Sequence, residues 1–230
     1  MARIGKLLCL VILAVFTIVT ADDYCNMKSC SEDHSHTMCQ YPSSEPASAC
    51  GSSPRSGLSD DDKKTIVDEH NRLRQYVASG QESRGNPGAQ YAAVEMKQMD
   101  WDDELAEIAQ RWANQCVFQH DKCRNVDRYV VGQNIAITYN SGENNTPMKD
   151  FVQMWYDEVK DFDKNGVDSY TFDSNTGHYT QVVWNNSTKI GCGSMNYHDD
   201  SDGWNKKTLV CNYGPSGNWQ GQKIYEKKSN

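Results

Sequence analysis

Two features restrict this chain more than any others: an even set of eight cysteines, and the apolar leader that precedes them. The eight are Cys25, Cys30, Cys39, Cys50, Cys116, Cys123, Cys192 and Cys211. In an oxidising compartment an even set is expected to close into four disulfides, although the count says nothing about which cysteine meets which. Zinc is the rival reading for the first cluster, because His34 and His36 lie between Cys30 and Cys39. The close-spaced Cys-x-x-Cys knuckles of a structural zinc site are missing, so bridges are expected there too.

The leader gives the compartment. Arg3 and Lys6 form a positive start, Leu7 to Val19 is apolar, and Val19-Thr20-Ala21 precedes a plausible cut before Asp22. The run is too short for a comfortable membrane span, and no second apolar run of that kind follows. Residues 1–21 therefore read as a signal peptide that carries Cys9 away with it. The mature chain is expected to be secreted and extracellular, with no membrane span.

Charge narrows the partners. The chain holds 23 Lys and Arg against 31 Asp and Glu, a net of −8. An acidic surface is poorly suited to nucleic acid, whose binding rests on phosphate neutralisation by cations. No nucleic-acid partner is expected.

The sequence changes character near residue 57. Residues 22–57 hold four of the cysteines among Ser, Pro and Gly, with neither helical nor strand period, and read as an irregular stapled arm. Residues 58–230 read as one domain. Ser59 and Asp60-Asp61-Asp62 supply a helix start, Ile66, His70, Leu73 and Val77 recur at helical spacing, and Gly80 ends the element. A second helix is expected from about Asp102, with Leu105, Ile108, Ala109, Trp112 and Cys116 on one face. A third is expected from Thr146 as cap and Pro147 as first helical residue, with Met148, Phe151, Val152, Trp155 and Val159 inward. His178 to Trp184 is rich in β-branched and aromatic residues and reads as a strand. Lys189 to Tyr197 and Lys207 to Tyr213 read as two more, which would set Cys192 and Cys211 on neighbouring strands. Helices first and strands later imply an α+β fold with an antiparallel sheet.

Three polar residues fall where burial is expected: Glu158 beside an apolar helix face, His178 on a strand face with Val182 and Trp184, and His120 near a helix end. Two histidines and a carboxylate from separate elements suit a metal site or an acid/base pair. They equally suit a satisfied polar network that ties helices to the sheet. No Gly-x-Ser-x-Gly elbow and no His-Glu-x-x-His motif is present, and paired cysteines leave no thiol nucleophile. Asn185-Asn186-Ser187 and Asn186-Ser187-Thr188 are overlapping glycosylation sequons. Asn144-Asn145-Thr146 is a third, weakened by Pro147.

Several segments carry a family resemblance. Gly177-His178-Tyr179-Thr180-Gln181-Val182-Val183-Trp184 resembles the first signature of the CAP superfamily of cysteine-rich secretory, antigen 5 and pathogenesis-related proteins. Leu209 to Trp219 resembles the second. His70-Asn71-Arg72-Leu73-Arg74, Trp112 to Cys116 and Gly132-Gln133-Asn134-Ile135-Ala136 are similar to its other landmarks, and the likeness covers about residues 58–225. In the arm, Asp23-Tyr24-Cys25-Asn26 and His36-Thr37-Met38-Cys39 are similar to the insect antigen 5 branch, as is Arg84 to Gly88 in the domain.

The resemblance implies a three-layer α-β-α sandwich. It also implies the pairs Cys25–Cys39, Cys30–Cys123, Cys50–Cys116 and Cys192–Cys211. It implies a cleft tetrad at His120, Gln133, Glu158 and His178, where Gln133 replaces the superfamily's usual Glu. A secreted, non-enzymatic venom or salivary allergen is the function expected, recognised by host antibodies if injected. No cofactor is required, though His120 and His178 could bind zinc weakly. The alternatives are a scavenger that takes a fatty acid, sterol or eicosanoid into an apolar groove between helices, and a weak hydrolase using the His/Glu cleft.

Overall fold

A computed structural model describes residues 24–51 and 53–229; the expected signal peptide and Cys9 lie outside the described residues. The helices are α1 (Thr37–Gln40), α2 (Asp60–Ala78), α3 (Asp103–Ala113), α4 (Met148–Tyr156) and α5 (Gly177–Val182). The strands are β1 (Arg55–Ser56), β2 (Asp100–Trp101), β3 (Gly132–Asn140), β4 (Lys189–Asp199) and β5 (Trp204–Gly214). The sheet runs β1-β4-β5-β3, antiparallel throughout, with the short β2 added parallel to the start of β4.

Alternation along the strands builds two cores. Ile190 and Cys192 of β4, with Leu209, Cys211 and Tyr213 of β5, face α2, α4 and α5. Met195, Tyr197, Val210 and Ile135 point the other way, against Ala109 and Trp112 of α3. The result is the expected α-β-α sandwich. Gly191 and Gly193 explain how closely α3 lies on β4. A Cβ at these positions would stand 2.2 Å from the Ala106 nitrogen and 2.3 Å from the Gln110 Cα, well inside contact distance.

Local chemistry accounts for the first helices. Ser59 Oγ accepts from the Asp62 amide at 3.1 Å, and the Asp62 carboxylate accepts from the Ser59 amide at 3.2 Å, a complete capping box for α2. Asp102 caps α3 by accepting from the Leu105 amide at 3.0 Å. That helix stops at Ala113. Cys116, expected on its inner face, lies beyond it with φ of 54°.

The structure corrects three further expectations. Helix α4 begins at Met148, with Pro147 at the cap position, and the Thr146 hydroxyl donates to Asn144 Oδ1 at 2.8 Å instead of capping. Val159 falls in the 3₁₀ turn Asp157–Asp161 that follows α4, still fully buried. The third correction is larger: His178 to Trp184, expected as a strand, is the helix α5 and the turn after it. Tyr179, Thr180, Val182, Val183 and Trp184 are all buried, so the segment has no alternating faces to read. Its two ends are held from outside. The Glu158 carboxylate accepts from the amides of His178 and Tyr179, satisfying orphan donors at the N-terminus. The Arg74 guanidinium donates to the carbonyls of Val182, Trp184 and Asn185 at the other end. In contrast, β3 is a full strand paired along its length with β5, although the sequence marked only its first residues, as a family landmark.

The arm is less irregular than expected. It contains α1, the 3₁₀ turn Ser48–Cys50 and the edge strand β1. Tyr24 and Met38 complete an apolar cluster with Leu105, Ile108, Val126 and Val131, so the arm buries its few apolar groups against the domain. Disulfides Cys30–Cys123 and Cys50–Cys116 tie it there, Cys25–Cys39 closes within it, and Cys192–Cys211 bridges directly opposed residues of β4 and β5. The groups of the zinc alternative are mostly engaged elsewhere, with only His34 exposed among the described residues. Its cysteines are bridged, and His36 uses both ring nitrogens, on the Asn125 carbonyl at 2.8 Å and the Met38 amide at 3.1 Å.

One sequon is also corrected. Asn144 is buried, its amide nitrogen donating to the carbonyls of Thr138 and Asn205, both at 3.0 Å. A glycan on that nitrogen is incompatible with this fold.

Candidate cation cleft

The four tetrad positions form two hydrogen-bonded pairs. Glu158 stands in the 3₁₀ turn after α4 and His178 near the start of α5. His178 Nδ1 lies 2.6 Å from Glu158 Oε1, while Glu158 Oε2 accepts from the backbone amides of His178 and Tyr179 at 2.9 and 3.1 Å. The carboxylate therefore faces three donors, and His178 donates from Nδ1 and leaves Nε2 free to accept or to ligate. The Trp155 indole stacks near the imidazole at 6.4 Å between ring centres.

His120 follows α3 in a loop, and Gln133 is the second residue of β3. Gln133 Oε1 lies 2.7 Å from His120 Nδ1. The orientation of this amide is dictated by its other end. Gln133 Nε2 donates to Asp121 Oδ1 and Asn212 Oδ1, both at 3.1 Å, and Asn212 is itself oriented by donating to the Leu105 carbonyl at 3.2 Å. The oxygen must then face His120, which donates from Nδ1 and, like His178, keeps Nε2 open. Desolvation lowers the His120 pKa, and the charges of Arg124 and His178 lower it further, against the hydrogen bond to Gln133 and the charge of Asp121.

The sequence did not single out the residues behind the pairs. Asp121 is buried and holds Gln133 while accepting from Thr37 of the arm and from Arg124. Asn134, next to Gln133 on β3, donates to the His178 carbonyl at 3.1 Å and to the Tyr213 hydroxyl at 3.2 Å. That hydroxyl donates in turn to Nε2 of the buried His70 at 2.9 Å, whose Nδ1 donates to the Ile66 carbonyl at 2.8 Å. A chain of polar contacts thus runs from the core to the cleft wall. Its one signal in the sequence is a histidine at a core position of the α2 period.

Among the described residues no set of three or more His, Cys, Asp and Glu is arranged to hold a metal ion. Among the described residues, neither His120 nor His178 has a hydrogen-bond partner on Nε2. A cavity of about 290 Å³ between α2 and α4 is lined by Leu73, Tyr76 and Tyr156 together with Arg72, Glu82, Arg84 and Gln153, and Arg84 bridges Glu82 and Asp157 at 2.9 and 2.7 Å.

Comparison with known proteins gives the family. The profile of the CAP, or cysteine-rich secretory protein, family matches residues 67–213, which include all four tetrad positions. The chain belongs to this family. It is 52% identical over 213 residues to venom allergen 3 of Solenopsis invicta, covering 90% of this chain and 91% of that one. It is 50% identical over 219 residues to venom allergen 5 of Rhynchium brunneum, covering 94% and 95%. Among solved CAP structures, the crystal structure of NaASP2 with Zn²⁺ superposes with a TM-score of 0.62 at 33% identity, over 75% of this chain and 89% of that one. BmVAL-1 superposes at 0.64 with 29% identity, over 75% and 85%. By sequence this is a CAP protein of the venom allergen type.

Proposed function

We propose that the protein is a secreted, non-enzymatic antigen 5-like component of venom or saliva, an allergen to exposed hosts, whose cleft binds a divalent cation weakly and does no chemistry on it. The observation that supports this reading is the locked amide of Gln133. Acid/base hydrolysis needs two groups whose protonation states complement one another. Gln133 cannot exchange a proton, and its nitrogen points at Asp121 and Asn212 and not into the cleft. Glu158 is committed to His178 and to two backbone amides. Among the described residues no serine or cysteine side chain hydrogen-bonds to either imidazole. Four disulfides and a venom allergen relationship support the secretory destination.

The atoms that would hold a zinc ion in this reading are Nε2 of His120 and of His178, since each ring has its Nδ1 engaged. This is the outer-shell arrangement typical of imidazole ligands, and NaASP2 has been crystallised with that ion. Bound zinc can polarise water, but two protein ligands make a loose site. Calorimetry on the purified protein is expected to show weak zinc binding at neutral pH that disappears in the His120→Ala/His178→Ala double variant. Binding that survives the double change would place the ion elsewhere.

Peptide and ester substrates are expected to turn over no faster with wild type than with His178→Ala, with or without added zinc or calcium. A tenfold lower rate in the variant, about 1.4 kcal/mol of lost transition-state stabilisation, would overturn the non-enzymatic reading.

A further inference from the structure

The three sequon asparagines differ in exposure and in how firmly the chain around them is held, and we infer that Asn186 is the one that carries an N-linked glycan in the folded protein. The inference rests on the proposed secretory route. The step is transfer of an oligosaccharide from a lipid diphosphate donor. The asparagine Nδ2 bonds to the anomeric carbon of the first sugar, the bond from that carbon to the diphosphate oxygen breaks, and one amide proton is lost as the lipid diphosphate leaves. The product must then fold with a large hydrated group on that nitrogen.

Asn144 cannot meet that condition, because its Nδ2 is buried between two carbonyls; chains modified there would be unable to close β3 against β5. Asn185 has no acceptor on its Nδ2 among the described residues, but it is only half-exposed and its backbone is anchored on both sides: its amide donates to the Ile224 carbonyl at 2.9 Å and its carbonyl accepts from Arg74 at 3.2 Å, while its Oδ1 accepts from the Lys97 amide at 2.9 Å. Asn186 is exposed on the turn between α5 and β4. Its Oδ1 accepts from Lys97 Nζ at 3.0 Å, and among the described residues nothing accepts from its Nδ2. It also has the stronger sequon, ending in Thr188, and it lies beyond the end of α5 opposite to His178. A glycan there projects into solvent and leaves the cleft open.

The two overlapping sequons can be separated by substitution. Thr188→Val removes the Asn186 sequon and keeps that of Asn185, which depends on Ser187; Asn186→Gln does the same by a different route. The full chain is translated with microsomes, entry is scored by protection from added protease, and sites are mapped by peptide mass after enzymatic sugar release in ¹⁸O water. One glycan on Asn186 is expected, absent from both variants, with Asn144 and Asn185 unmodified. A protected wild-type chain without sugar on Asn186, or with sugar on Asn144 or Asn185, overturns the assignment alone. Failure to enter the microsomes overturns the secretory reading together with it.

Discussion

Replacing Arg74 by methionine is expected to lower the stability of the fold by about 3–5 kcal/mol, because the change orphans a set of buried carbonyls and leaves the apolar volume nearly intact. Arg74 is fully buried on the inner face of α2. Its Nε and Nη2 donate to the Lys97 carbonyl at 2.9 and 2.7 Å. Its Nη1 donates to the carbonyls of Val182 and Trp184, both at 2.8 Å, and Nη2 also reaches that of Asn185. No carboxylate pairs with it among the described residues. Burial pushes its pKa down to about 9, so the guanidinium stays charged at neutral pH and is solvated entirely by backbone dipoles. Lysine should not rescue the variant, since a single ammonium cannot span four carbonyls in the plane of the guanidinium fork. Denaturant midpoints for wild type, Arg74→Met and Arg74→Lys check this. A loss under about 1 kcal/mol would mean that water or a backbone shift can satisfy those carbonyls.

Acidification between pH ~6.5 and ~4 is expected to remove about 3 kcal/mol of stability through His70 alone. His70 is fully buried, and burial lowers its pKa from 6.5 to about 4. The Arg74 charge lowers it too, while the Ile66 carbonyl and Glu69 act in the opposite direction. The remaining neighbour, Tyr213, donates its hydroxyl to Nε2 and so requires the neutral ring. The unfolded chain takes up a proton on this residue near its ordinary pKa, whereas the folded chain resists until pH is lower. The stabilisation is therefore complete above about pH 6.5 and is lost as pH falls through that window. His36, lowered by burial in the arm, contributes with the same sign. Guanidinium denaturation at a series of pH values should show the fall in wild type. His70→Asn should be less stable at neutral pH but flatter across the window. Parallel profiles for the two proteins would show that some other group carries the acid sensitivity.

Elements whose determinants lie within a few residues of one another were legible in the sequence. The Ser59 cap and apolar period of α2, the Asp102 start of α3, and the last two strands with Cys192 and Cys211 as neighbours all belong to this class. The even cysteine count and the leader pointed to an oxidising destination, and the signature segments pointed to the family. His120, Glu158 and His178 could be picked out as polar residues at expected core borders; Gln133 came from the resemblance.

What only the tertiary structure decided depends on partners far apart in the chain. Residues 178–184 have strand-like side chains, yet they wind into α5 because Glu158, 20 residues before His178, satisfies one end and Arg74, 108 residues before Val182, satisfies the other. β-Propensity measures fit to a pleated, half-buried surface, and a segment buried on all sides offers no such surface to test. The cleft follows the same logic. The sequence shows that a glutamine stands at position 133, but only Asp121 and Asn212, converging from a loop and from β5, determine which way its amide points and hence which nitrogen of His120 stays open. A hydrogen-bond direction is a property of the assembled neighbours, and no local pattern of residues encodes it.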